Sequence, residues 1–198
     1  MKKYLFLGLM WASVCAFAAE PVYHAGENSV TARLPRWETS LGWINARVGT
    51  HDPTEENLFS HLTGFTVRGL YTLRPSWRMG AEGVIFSGKN LAPSNTYRAR
   101  RYGVLVNYVL TPDTVPVAYV LVGGGETYHR ISYSGLRTNR KHTGYACAGV
   151  GIEVPLDHRY FLAAEAAALY HVSKKIDVFT RLNRRLETTV TVRGGIRF

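Results

Sequence analysis

The last ten residues of the chain alternate between two kinds of position. One parity carries apolar residues and one glycine: Val190, Val192, Gly194, Ile196 and Phe198. The other parity is mostly polar: Thr189, Thr191, Arg193, Gly195 and Arg197. Successive side chains of a strand point to opposite faces of the sheet, so this pattern predicts a strand with one apolar face. That strand ends on an aromatic residue of the apolar face.

Seven more strand-like segments precede this one. They span about residues 40–49, 62–73, 77–87, 97–110, 117–131, 141–154 and 159–172. The segments between successive strands are alternately long and short: 51–60, 74–76, 88–95, 111–114, 132–140, 155–158 and 173–181. Strands of about 10 residues joined in this way are typical of barrels that cross a bacterial outer membrane. We therefore predict an all-β protein, an eight-stranded antiparallel up-and-down transmembrane β-barrel, with both termini and the short turns in the periplasm.

The amino terminus has the pattern of an export signal. Residues 1–18 begin with Met-Lys-Lys, continue with an apolar run and end in Ala-Phe-Ala. A positive start, an apolar stretch and a small-x-small end predict a cleaved signal peptide. Residues 19–37 show no clear period and contain Pro21 and Pro35, so we expect a periplasmic lead-in there. Residues 38–198 then form the predicted barrel.

Charge and cysteine content narrow the function classes. The formal net charge is +10, and loss of Lys2 and Lys3 with the signal peptide leaves +8. A strongly basic exported protein is expected to have anionic partners. Cys147 is the single cysteine after cleavage, which excludes an intrachain disulfide. The histidines are scattered, so we expect no metal and no other cofactor, and we predict no nucleic-acid partner.

Three features of the chain carry a family resemblance: the terminal Phe198, the alternation of loop lengths, and the run from Gly149 to Glu165 across a Pro-Leu-Asp turn. Together they resemble the small eight-stranded outer-membrane proteins of the OmpA transmembrane, OmpX and Ail type. The resemblance implies location in the outer membrane of a Gram-negative bacterium and contact with outer-membrane lipid and lipopolysaccharide. It also implies that the barrel assembly machinery reads Phe198 as a C-terminal signal.

If the apolar faces meet lipid, the opposite faces fill the barrel. The charged residues then expected inside are Arg47, Arg68, Glu153, Glu165, Arg193 and Arg197, with Arg78 or Glu82 from the third strand. In the fifth strand Glu126 favours even-numbered residues pointing inward, but the adjacent glycines leave either choice open. Eight strands enclose room only for side chains, so acids and bases would pair across the interior. We therefore expect a sealed, structural charge network and not a pore.

The basic excess lies near the predicted outer rim. Candidate contacts for lipopolysaccharide or another anionic surface ligand are Arg98, Arg100, Arg101, Arg137, Arg140, Lys141, Lys174 and Lys175. Arginine suits bidentate contact with phosphate groups. Adhesion to an anionic surface, as in the Ail type, is the sharper version of this hypothesis. The alternative is an ordinary solvated surface, because charged loops are common on soluble faces.

Two other functions fit parts of the sequence. A soluble periplasmic barrel of the lipocalin type has the same strand number, but its apolar face surrounds a ligand. The barrel-shaped lipid A deacylases carry His-x-Ser in the penultimate strand and Glu in the last, which matches His171, Ser173 and Glu187. Lys174 stands where that family has Asn, and the parity of His171 is that of Glu165, which we place inside. We therefore predict that the protein is not an enzyme.

Overall fold

The computed structural model describes residues 37–48, 61–89, 96–112, 114–133, 137–172 and 186–198. Its eight strands are β1 (Trp37–Val48), β2 (His61–Arg74), β3 (Trp77–Lys89), β4 (Thr96–Val109), β5 (Val117–Tyr133), β6 (Arg137–Pro155), β7 (Tyr160–His171) and β8 (Leu186–Arg197). Each strand pairs antiparallel with its neighbours in the chain, and β1 pairs with β8 to close a barrel. The predicted fold class is confirmed. Among these residues, no helix is long and apolar enough to cross a membrane.

The backbones of Trp37 and Phe198 complete the closure. The Trp37 amide donates to the Phe198 carbonyl oxygen at 3.0 Å, and the Phe198 amide donates to the Trp37 carbonyl oxygen at 2.9 Å. We call this end of the barrel, which also holds the short β2–β3, β4–β5 and β6–β7 connections, the turn end. The opposite end is the loop end. The predicted signal peptide and residues 19–36 of the predicted lead-in lie outside the described residues, whereas Trp37, the last residue of that predicted segment, begins β1.

Pairing around the barrel is staggered. The cross-strand neighbours that start at Trp37 run through Tyr71, Met79, Val106, Val122, Ala148, Ala168 and Thr188 and return to β1 at Arg47. A ring of neighbours that returns further along its first strand requires strands tilted against the barrel axis. The tilt brings side chains that are distant in sequence, on strands that are not neighbours, close together inside the barrel.

Two strands extend further at the loop end than their sequence pattern indicates. β5 continues to Tyr133 and β6 begins at Arg137, so residues 132–133 and 137–140 of the predicted loop are paired strand, with Ser132 opposite Thr138. This stretch is polar at most positions and lacks the apolar alternation that marks a half-buried strand. Backbone pairing between the two long strands continues without that signal.

The outer wall of the barrel is apolar. Phe65, Val67 and Ile85 have exposed fractions of 65%, 57% and 63%, and every other strand also exposes large apolar residues. Rings pair between neighbouring strands near both ends of this band: Trp37 with Tyr71 and Trp77 with Tyr108 at the turn end, and Trp43 with Phe65 towards the loop end. Aromatic residues at the two edges of an apolar band are typical of barrels in lipid.

The interior is partly apolar, which corrects the predicted orientation in β1 and decides the orientation that the sequence left open in β5. In β1, Ile44 and Ala46 point inward and pack with residues of β2, β3 and β4, whereas Arg47 is exposed on the outer wall. In β5, Tyr119 and Leu121 are buried and Glu126 is exposed, so the odd-numbered residues point inward. The premise that polar faces fill the barrel fails where apolar side chains also pack inside it.

Candidate functional site

The middle of the barrel holds a buried ion-pair cluster, which we call the central cluster. Arg68 on β2 donates to Glu165 on β7 through both terminal nitrogens, and its Nη2–Oε2 distance is 2.7 Å. The same guanidinium donates from Nε to Glu82 on β3 at 3.0 Å. Arg193 on β8 contacts Glu165 at 3.0 Å. Two arginines therefore face two glutamates, which offsets much of the cost of burying charge.

Tyr119 on β5 connects the central cluster to the side of the barrel that contributes no charged residue to it. Its hydroxyl donates to Glu165 at 2.6 Å and accepts from Arg193 at 3.0 Å. The ring lies over Gly151 of β6, where an added Cβ would sit 2.3 Å from the Tyr119 Cζ atom. A glycine at this position is what allows the tyrosine to reach across the barrel.

A second cluster closes the turn end. Arg78 on β3 contacts Glu153 at 3.0 Å and Glu38 at 3.3 Å. Arg197 on β8 pairs with the same two glutamates, and its guanidinium lies 4.7 Å from the centre of the Phe161 ring. This turn-end cluster again balances two positive with two negative side chains.

The third cluster lies towards the loop end and overturns one prediction. Arg101, expected at the outer rim, is buried inside the barrel and pairs with Glu187 at 3.1 Å. Glu187 also lies 3.2 Å from Nε2 of His171. The sequence itself indicates this orientation. Tyr102 and Val104 belong to the apolar parity of β4, which points outward, and Arg101 has the opposite parity.

The histidine and glutamate of the deacylase alternative therefore do meet, but inside the barrel. His171 is buried beside the ring of Tyr145 and next to His129, which contacts Tyr97 at 2.6 Å and Thr143 at 2.7 Å. Ser173 lies outside the described residues. A lipid substrate on the outer wall does not reach a pair buried in this position.

A cavity lies between the central cluster and the third cluster. It measures about 20 Å³ and is lined by residues that include Arg68, Arg101, Tyr145 and Cys147. That volume holds about one water molecule. Among the described residues, no three His, Cys, Asp or Glu side chains form a group suited to a metal ion.

Three arginines form a row on the outer wall at the loop end. Arg98 on β4 is directly opposite Arg130 on β5, and Arg130 is directly opposite Arg140 on β6. All three side chains are exposed. We call Arg98, Arg130 and Arg140 the arginine row. Arg100 is exposed two residues below Arg98, and Tyr102 below it begins the apolar band of β4.

Of the other predicted rim residues, Lys141 is the one whose side chain the structure describes away from the arginine row. Lys141 is half-buried, on the inward parity of Thr143, and is opposite His129. The backbone of Arg137 begins β6, but its side chain is outside the described part of the chain, as are Lys174 and Lys175. The sequence pattern does not indicate the inward positions of Glu38 and Tyr119 or the pairing of Arg101 with Glu187. Glu38 gives no signal because β1 begins before its apolar alternation does.

The comparisons with known proteins agree on the fold. No protein-family model matches the sequence, and no curated protein matches it. Ail from Yersinia pestis is 16% identical, with a TM-score of 0.57 and a match that covers 83% of this chain and 99% of Ail. Neisserial surface protein A is 14% identical, with a TM-score of 0.57 over 82% of this chain and 97% of its own. The N-terminal β-barrel domain of OprF from Pseudomonas aeruginosa is 14% identical, with a TM-score of 0.50 over 81% and 97%. The chain has the fold of the small eight-stranded outer-membrane barrels.

Proposed function

We propose that this protein is an integral outer-membrane barrel with a sealed interior, which acts by binding an anionic ligand through arginines at its outer rim. The observation that carries the proposal is the reversed polarity of the barrel. Large apolar side chains cover the outside, and charged clusters occupy the inside. A wall of this kind is stable in lipid and unstable in water.

The same polarity argues against a soluble ligand-binding barrel. A lipocalin-type protein needs an apolar interior large enough for its ligand. Here the cavity of about 20 Å³ is too small for such a ligand, and charged residues such as Arg68 and Glu165 border it together with apolar ones such as Leu105 and Leu121. The ion pairs that fill the interior also support a barrel that conducts no ions.

The arginine row supports the binding part of the proposal. Its side chains lie beyond the apolar band, on the side of the long loops, which we assign to the cell exterior. Ail, which shares the fold, has been solved in complex with the heparin analogue sucrose octasulfate. By analogy, the ligand class proposed here is a multiply charged anion, such as lipopolysaccharide or an anionic surface polymer. We propose no enzymatic activity, because His171 and Glu187 are buried within the barrel.

Membrane fractionation tests the location. The protein is expected in the outer-membrane fraction, as a band whose gel mobility changes when the sample is boiled. A band found only in the soluble periplasmic fraction would contradict the proposal. Planar bilayers that contain the purified protein are expected to show no discrete conductance steps, and regular steps would overturn the sealed interior.

A further inference from the structure

The arginine row places three positive charges side by side, and this arrangement needs a counter-ion to be stable. Directly opposite residues of antiparallel strands have Cα atoms about 5 Å apart, and like charges at that spacing destabilise the sheet. Arg98 faces Arg130, and Arg130 faces Arg140, on three consecutive strands. Within the described part of the chain, no carboxylate forms an ion pair with any of the three. Glu126, the nearby outward glutamate, accepts from the Tyr102 hydroxyl at 2.6 Å and lies 3.9 Å from His142.

The row faces sideways from the wall, not upward from the mouth. Arg98 has the same parity as Arg100 and Tyr102, and the outward side chains of the strand alternate with the buried Ala99 and Arg101. The apolar band begins at Tyr102, and the distance along the strand from Tyr102 to Arg98 is about 13 Å. Arginines at this height and direction meet the headgroup layer of the surrounding membrane.

Directly below the row, the outer wall carries Arg100, Tyr128 and His142 on the same three strands. Further down the wall becomes shallow, with small outward residues on β5, β6 and β7: Gly124, Gly144, Ala146, Ala148, Ala166 and Ala168. Larger residues stand on both sides, with Tyr102 and Val104 on β4 and Tyr170 on β7. We call this surface the outer trough. It leaves room for hydrocarbon chains against the barrel, and the paired rings of Tyr128 and His142 separate it from the three guanidinium groups.

We infer that the arginine row is a lateral binding site for a phosphorylated lipid of the outer leaflet, of the lipid A class, with its phosphates on Arg98, Arg130 and Arg140 and its acyl chains in the outer trough. The inference rests on the proposed outer-membrane location, because such lipids are available only in that leaflet. Guanidinium groups bind phosphate through paired, charge-assisted hydrogen bonds. A diphosphorylated headgroup supplies enough negative charge to serve three neighbouring arginines.

The test uses the full protein folded in detergent with lipid A and compares two triple variants. Arg98→Gln, Arg130→Gln and Arg140→Gln together remove the row. Arg47→Gln, Arg74→Gln and Arg159→Gln remove the same charge from exposed arginines elsewhere, one of them on the outer wall of β1. Native mass spectrometry then measures how much lipid A stays bound. A band that shifts on heating verifies that each variant is folded.

The row variant is expected to lose lipid A by about ten-fold or more, since one charge-assisted hydrogen bond accounts for roughly that factor. The control variant should retain lipid A. Lipid A that lacks its phosphates should bind neither the row variant nor the control variant. Unchanged retention in the row variant, or an equal loss in the control, would overturn the inference. If sucrose octasulfate binding depends on the row while lipid A binding does not, the ligand is soluble: the lipid site is then wrong and the proposed anion-binding function stands.

Discussion

Arg68 and Glu165 lie 97 positions apart in sequence and form a two-point ion pair in the middle of the barrel. The pair joins β2 to β7 across the interior, although these strands are not neighbours in the sheet. It therefore connects walls that backbone hydrogen bonds do not connect. Because Arg193 and Tyr119 also contact Glu165, one carboxylate connects four strands: β2, β5, β7 and β8.

Glu165→Gln is expected to lower the free energy of unfolding by about 3 kcal/mol or more, because it leaves Arg68 and Arg193 buried with less counter-charge. Urea titration of the protein in lipid vesicles, followed by tryptophan fluorescence, measures the change. Glu126→Gln is the matched control, since Glu126 is exposed on the outer wall. Equal stability of the two variants would contradict a central role for Glu165.

Gly151→Ala is expected to destabilise the barrel by about 1–3 kcal/mol, the usual range for an overpacked interior. The new Cβ would displace the Tyr119 ring and weaken its hydrogen bonds to Glu165 and Arg193. Gly83→Ala is the control, because nothing lies within 4 Å of the Cβ position there. Urea titration should separate the two alanine variants, and a loss of stability in Gly83→Ala alone would refute the packing argument.

Phe198→Ala is expected to reduce the amount of protein in the outer membrane while leaving folding from urea into detergent nearly unchanged. The Phe198 backbone bonds to Trp37 remain in this variant, and its ring is exposed and replaceable. Deletion of Phe198 removes both the ring and the backbone bonds, so it should impair folding in detergent as well. Normal outer-membrane levels of Phe198→Ala would show that the ring is not an assembly signal.

Asp157, in the turn between β6 and β7, should make stability depend on pH. Its carboxylate accepts from the amides of Tyr160 at 2.7 Å and Arg159 at 2.6 Å, and these bonds hold the pKa of Asp157 below its ordinary value. A lowered pKa stabilises the folded state above the unfolded pKa of about 4, and the effect is lost as pH falls through the folded pKa. The stability advantage of the wild type over Asp157→Ala should therefore shrink in acid. An advantage that grows as pH falls would reverse the predicted sign.

The alternation of β8 was enough to predict the strand, its apolar face and the inward direction of Arg193, because one face of that strand meets lipid throughout. β1 was different: Trp43 and Ile44 are both apolar, and the sequence alone does not say which one meets lipid. Arg47 was therefore assigned to the wrong face. The direct pairing of Arg98 with Arg130 depends on the stagger between β4 and β5, which loop lengths and residue types do not determine.

Because the strands differ in length, the wall formed by β5 and β6 extends further at the loop end than the wall formed by β1, β7 and β8. β5 and β6 have 17 and 19 residues, whereas β1, β7 and β8 have 12 each, and about 10 suffice to cross the hydrocarbon layer. From Gly144, at the edge of the apolar band, β6 continues about 23 Å along its axis to Arg137. Among the described strands, the ends of β5 and β6 at Tyr133 and Arg137 therefore extend furthest past the apolar band at the loop end.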